Sequence, residues 1–283
     1  MTAIRWGATG YIGAAAFTRD RLAAFGVRQP AGNRLAKAER LVRDLNDRRI
    51  QLLPEDDATL RRVNDTLWTI SEQYTITRAL GRPDRPLRLP LLQKLEIMLS
   101  GAEIEDEDRN PLARNTQFEL YVRAVMVMGD VPVRLEEPDL RIWYVDLEAG
   151  IAAKRVRSMS QLMGRVDEAV GQIETSGVPG IVAVNVDLIL KAFGTGTVET
   201  AQLDERLAVL QEVDTRLATQ DNVLGSLIVC RDAEWRFGGE RPVFNCSTWH
   251  RFAPYPRNEE QSARANTFWQ SAHELIEKRR LNL

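Results

Sequence analysis

Up to about residue 100, apolar positions recur at helical spacing. Over residues 33–48, Leu35, Ala38, Leu41, Val42 and Leu45 fall three or four apart, which predicts an amphipathic helix. The same pattern predicts helices over 56–80 and 87–99, separated by the breaks "RQPAGN" and "GRPDRP". Beyond residue 110 the character changes. Asn110 before Pro111 reads as a cap and first-turn proline of a helix over 111–129, with Phe118, Tyr121, Val122, Val125 and Met128 along one side. Short strand-like pieces follow at 131–135, 139–145 and 150–156, then a helix over 160–177 and the run "GIVAVNVDLIL", a buried strand by its β-branched content. A helix over 201–220, strands over 223–232 and near 241–249, and a final helix from about Glu259 complete the chain. The order predicts a mixed α/β fold with a partly parallel sheet. The acidic stretch "GAEIEDEDRN" marks an exposed boundary, dividing a helical N-terminal domain at 1–108 from an α/β domain at 109–283.

The opening "WGATGYIGAAAF" spaces Gly7, Gly10 and Gly13 like a dinucleotide-binding loop. That loop needs a buried apolar strand before it and a second strand ending in an acid about 20 residues on. "MTAIRW" is too short and mixed for a central strand, and the following stretch is helical. The glycines therefore read as a turn before a helix starting near Ala14, and a nicotinamide-dependent oxidoreductase is disfavoured.

Composition narrows the classes further. With 44% hydrophobic and 28% charged residues, the chain is ordinary for a globular protein. No apolar run approaches the ~20 residues that span a bilayer, and Arg5 interrupts any leader-like pattern, so a cytoplasmic location is expected. Cys230 and Cys246 lack zinc-site spacing, and only His250 and His273 are available for a histidine-based metal site or hydrolase triad. The net charge is −2, yet residues 1–50 carry ten Lys/Arg against four acids. Arg40 and Arg43 within that run are candidate phosphate contacts, against the alternative of a solvated helix face.

Chemistry concentrates in "EEPDLRIWYVDLEAGIAAKRVRS". Pro138-Asp139 opens one strand, Lys154 ends the next, Glu119 lies on the preceding helix and Gln172 on the following one. Lysine is scarce, with five against 33 arginines, so chance seldom sets one at this position. Over roughly 110–190 the pattern resembles the PD-(D/E)XK, or restriction-endonuclease-like, nuclease superfamily. The resemblance implies an αβββαβ core with a mixed sheet, preceded here by a helical N-terminal region. It implies Mg²⁺ or Mn²⁺ held by Asp139, Glu119 and the Ala153 carbonyl, because hard cations take oxygen ligands. Lys154 would orient the attacking water and offset charge on the phosphate, Gln172 would support the site, and Arg155 and Arg157 would contact nucleic acid. The partner implied is nucleic acid, DNA first, in a bacterial defence or restriction-like setting, with a protein partner or a homodimer as assemblies open to it.

One position departs from the pattern. Ala152 stands where the family has Glu or Asp, on the same strand face as Lys154. With the other members intact, an inactivated variant of a nuclease is favoured over a natural pseudonuclease. Asp146 or Glu148, on the turn before the strand, are displaced acids that could substitute. The alternative function is a non-catalytic nucleic-acid-binding or assembly subunit on the same fold. The local residues also have plainer readings: Glu119 as a capping-box partner of Thr116, Asp139 as a turn residue, Lys154 as an exposed strand lysine.

Overall fold

The computed structural model describes residues 2–4, 8–50, 52–53, 56–82, 87–102, 111–144, 147–190, 193–194, 200–236 and 243–255. The helices of the first part begin where polar caps precede apolar periodicity. Helix α1 spans Ala8–Ala24, α2 Arg34–Asn46, α3 Asp57–Arg78 and α4 Leu89–Met98. Asn33 accepts the Ala36 N–H at 3.0 Å and Asp56 the Thr59 N–H at 3.0 Å, satisfying N–H groups left unpaired at the starts of α2 and α3. Helix α1 starts six residues before Ala14, so Gly10 and Gly13 lie inside it. Burying Tyr11, 1% exposed, rewards the extra turn.

A short strand, β1 (Thr2–Ile4), precedes α1 and pairs antiparallel with the last strand, β8 (Val243–Pro254). It lies at a sheet edge, unlike the central strand of a dinucleotide-binding unit. The next elements are α5 (Leu112–Met128), β2 (Val133–Arg134), β3 (Leu140–Tyr144), β4 (Leu147–Arg155), α6 (Met159–Ser176) and β5 (Gly180–Asn185). Then come α7 (Asp187–Leu190), β6 (Phe193–Gly194), α8 (Thr200–Leu217) and β7 (Val223–Arg236). The expected strand over 180–190 stops at Asn185, whose Oδ1 accepts the Asp187 N–H at 3.3 Å and turns the chain into α7. Asn110, the acidic stretch from 103 on, Asp146 and the helix expected from about Glu259 lie outside the described residues.

The sheet is mixed, in the order β1-β8-β7-β5-β4-β3-β2, with β6 pairing β7 off that path. Strands β2, β3 and β4 form an antiparallel meander; β4, β5 and β7 run parallel. Alternation splits the side chains between two cores. Ile151, Ala153, Ile181 and Ala183 join the core shared with α1–α5, whereas Ala152, Val182 and Val184 join the core beneath α6 and α8. Helix α5 is buried on more than the one side its periodicity suggested, because it lies between α3 and α4 and the sheet. The first core runs without a break from α1 through α5 to the sheet. Among the described residues, no helix is long and apolar enough to cross a membrane.

A buried polar chain joins the layers. In β7, Arg231 donates its backbone N–H to Asp187 Oδ1 at 2.6 Å and its Nε to Asp187 Oδ2. Asn185 donates to the same Oδ2 at 2.7 Å. The Arg231 guanidinium also lies 3.5 Å from Glu72 of α3 and 5.1 Å from the centre of the Trp68 ring. Gln117 of α5 donates to Glu72 and accepts from Arg34 of α2, which also donates to the Met98 carbonyl at 2.9 Å. Burial pushes the Asp187 carboxyl above its ordinary range, opposed chiefly by the charge of Arg231.

Removing Arg231 would leave two carboxylates buried without their cation. Arg231→Met should cost roughly 3–5 kcal/mol in urea unfolding at pH 8. The cost should shrink at low pH, where a proton replaces the lost charge, and adding Asp187→Asn should recover part of it.

Candidate functional site

Asp139 occupies the bend immediately before β3. Pro138 before it packs onto β4 at Gly150, where a Cβ would come within 2.6 Å of the proline Cδ. Only glycine admits the ring so close. Extending the β3–β4 register by one sets Asp139 opposite Ala152. Its carboxylate accepts the Ala153 N–H at 2.8 Å, a donor that a longer β3 would have taken. The Gly150 N–H bonds to the Pro179 carbonyl beside β5, so strand alternation turns the Ala153 N–H and carbonyl the other way, to the edge where β3 has ended.

Charges gather around this carboxylate from both layers. Glu119 belongs to α5 and is ion-paired with Lys94 of α4. Lys154, near the end of β4, pairs with Glu168 of α6 at 3.0 Å; its side chain is 11% exposed and that of Glu168 44%. Burial pushes the Asp139 carboxyl up to about 6, and the Glu119 charge adds to this. The Ala153 N–H and the charges of Lys154 and Lys94 work in the opposite direction. Glu168 lies lower than usual: its partial burial is outweighed by hydrogen bonds from Lys154 and Arg165.

The expected site residues thus fall into distinct environments. Glu119 and Lys154 each lie within electrostatic reach of Asp139. Ala152 faces the α6 side with 0% exposure, within the apolar second core. Gln172 lies one turn along α6 from Glu168; its Oε1 is buried, with no hydrogen-bond partner among the described residues. Arg155 bears on Asp187, inside the buried network, whereas Arg157 is exposed just past β4. Glu148 is exposed and paired with Arg141 at 2.8 Å, six residues and roughly 20 Å of strand from Lys154. Tyr121 and His250 hydrogen-bond at 3.1 Å between α5 and β8, and the buried Cys230 thiol donates to the Arg231 carbonyl at 3.6 Å.

The N-terminal basic run is less uniform than its sequence. Arg34 is buried, and Glu39 binds both Arg19 at 2.9 Å and Arg43 at 2.6 Å. Arg49 pairs with Asp44 and Asp47, while Arg40 is exposed on α2. The pattern alone pointed to neither Lys94 nor Glu168. Both are partners fixed by tertiary contact, and nothing in their local sequence distinguishes them. Among the described residues, no three His, Cys, Asp or Glu side chains come together as a ready metal-holding group.

Because the folded-state pKa of Asp139 is raised, the group favours folding at low pH. That advantage is lost as pH rises from about 4 to about 6. Asp139→Asn keeps an acceptor for the Ala153 N–H and removes the buried charge. It should therefore gain on the order of 1–3 kcal/mol at pH 8 and almost nothing at pH 4, measured by urea titration at both. Equal gains at both values would contradict the assigned environment. Beyond this geometry, comparison adds no relative: no family model, no curated protein and no solved structure matches the chain.

Proposed function

We propose that the chain is a divalent-metal-dependent nuclease of the PD-(D/E)XK type, hydrolysing phosphodiester bonds of nucleic acid, with DNA as the first substrate to test. The observation that carries this reading is the Asp139 carboxylate. It is half-buried where β3 begins, held by one backbone N–H, and within reach of Lys154 and Glu119. The run α5-β2-β3-β4-α6-β5, with its antiparallel meander and parallel β4–β5 pair, supports the reading, since the resemblance requires that order.

The donor set fits a hard cation. Asp139 and the Ala153 carbonyl supply oxygens at the strand edge, and a carboxylate strained by burial gains from a cation. Glu168, which pairs with Lys154 on the face toward which side chains 152 and 154 turn, would have to swing from that lysine to serve as the acid that position 152 lacks. Mg²⁺ or Mn²⁺ held there would polarise a phosphoryl oxygen and acidify a bound water. Lys154 would balance charge building on the phosphate. Gln172, its Oε1 without a partner among the described residues, is available to orient a water or a ligand.

A second reading, a non-catalytic nucleic-acid-binding subunit, is favoured by the pairs Lys94–Glu119 and Lys154–Glu168. In each, a lysine already neutralises the carboxylate that a metal would use.

The discriminating experiment is cleavage of single- and double-stranded DNA and RNA with Mg²⁺ or Mn²⁺, with an EDTA control. The nuclease reading expects cleavage that Asp139→Ala, Lys154→Ala and Glu168→Gln each reduce on the order of 10²–10³-fold. Affinity of the free chain for the metal should fall as pH drops through about 6, where a proton competes with the cation for Asp139. If neither the chain nor Ala152→Glu cuts any of these substrates, the binding subunit is the correct reading.

A further inference from the structure

A cavity of about 690 Å³ opens beside the candidate site, between the start of α4, the outer turn of α5 and strand β2. Among the described residues four arginines line it, Arg82, Arg88, Arg123 and Arg134, against one acid, Glu136. Arg123 is the informative one. It lies on α5 one turn beyond Glu119, largely enclosed, and makes no hydrogen bond or ion pair among the described residues. Burial lowers its affinity for its proton, and no facing charge offsets this. A guanidinium stays protonated in proteins, so this position keeps a desolvated cation that packing does not require.

The other groups share that polarity. Arg82 and Arg88 are exposed at the mouth, and neither makes an ion pair among the described residues. The Arg134 guanidinium lies 5.0 Å from the Trp143 ring centre and 3.7 Å from Glu136, so the single acid is already engaged. Helix α4 begins at this cavity with Arg88 as its N-cap, extended and without a side-chain cap, so its positive end adds to the field. Leu87, Leu91 and Leu135 supply apolar wall. Cavities of roughly 300–1,000 Å³ take ligands of nucleotide size.

We infer that this cavity is a phosphate-binding site for a nucleotide unit, with Arg123 as its buried anchor and Arg82, Arg88 and Arg134 closing around the anion. Its anion chemistry stands on the cavity alone. Its role as a seat for the substrate strand rests on the proposed nuclease function. Glu119 is only one helical turn from Arg123, roughly 6 Å along the axis, and Asp139 follows Glu136 by three residues. A strand with one phosphate in the cavity would lead its next phosphates toward Asp139.

The test is calorimetric titration of the full chain in EDTA with inorganic phosphate, a deoxynucleoside 5′-monophosphate, and a single-stranded oligonucleotide with and without a 5′-phosphate. The chain should bind the phosphate probes, and Arg123→Gln should weaken them about tenfold or more, the loss expected for one charged hydrogen bond. Arg88→Gln, at the exposed mouth, should weaken them severalfold; Arg216→Gln, on α8 and paired there with Asp167, should leave them unchanged. Because Arg123 is largely enclosed with no partner among the described residues, Arg123→Gln should unfold at the same or a higher temperature than the parent. Phosphate binding unaffected by Arg123→Gln and Arg88→Gln would overturn the site. So would the absence of phosphate binding, or a lowered unfolding temperature for Arg123→Gln with Arg88→Gln binding as the parent. The probes separate the sources: a preference for the 5′-phosphorylated oligonucleotide over the mononucleotide identifies a strand end, and the reverse a free nucleotide. Phosphate binding lost in Arg123→Gln, with no cleavage by any form, keeps the cavity and removes the nuclease. Cleavage with phosphate binding unchanged by either variant does the opposite.

Discussion

The guanidinium of Arg231 is the point on which the layers depend. It enters from the sheet, engages Asp187 at the end of β5, and reaches Glu72 of α3 across the layer boundary. Glu72 passes the connection to Gln117 of α5, and Gln117 to Arg34 of α2. Apolar packing alone is non-directional and would tolerate some sliding of helices over a sheet. A charged chain buried in low dielectric does not, because each displaced member would lose a hydrogen bond without gaining water. The helical layer is thereby registered against the carboxyl ends of β4, β5 and β7, the end at which Asp139 and Lys154 also lie.

That registration gives Asp139 its properties. Pro138 rests on the bare backbone of Gly150, the carboxylate closes onto the Ala153 N–H, and α5 brings Glu119 near it. Burial decides the balance among its surroundings. Burial and one like charge raise its proton affinity, while two lysines and one N–H lower it. Each lysine is also committed to a glutamate of its own, Lys94 to Glu119 and Lys154 to Glu168. The group therefore belongs to an arrangement of alternating charge that a cation or an anion could each reorganise.

Much of this was legible before any coordinates. The caps Asn33 and Asp56, the helical spacing of α2, and the β-branched run of β5 reflect local rules, and local rules operate within a few residues. The α-β-β-β-α-β order of elements from α5 to β5 was readable for the same reason, since its strands are consecutive. The missing parts depend on distant residues. Strand β1 exists only because β8 lies beside it, and β7 extends to Arg236 because β8 pairs along it. Lys94, Glu168 and Arg123 are unremarkable in their own segments and acquire meaning from what faces them. Conversely, the basic run of the first fifty residues overstated its surface: Arg34 points inward, and Glu39 absorbs two of its cations.

The pairing of Thr2–Ile4 with Cys246–Thr248 has a consequence for how the chain is made. Strand β1 meets its neighbour only after more than two hundred further residues have been synthesised. At elongation rates of roughly 5–20 residues per second, that is an interval of ten seconds or more. Helices α1–α5, whose contacts are far more local, can collapse within that time, with β1 as a loose leader on their surface. The sheet grows outward from the meander and closes last at the edge where β1 pairs with β8. A nascent chain halted before residue 243 should therefore hold a formed helical layer and an unclaimed first strand.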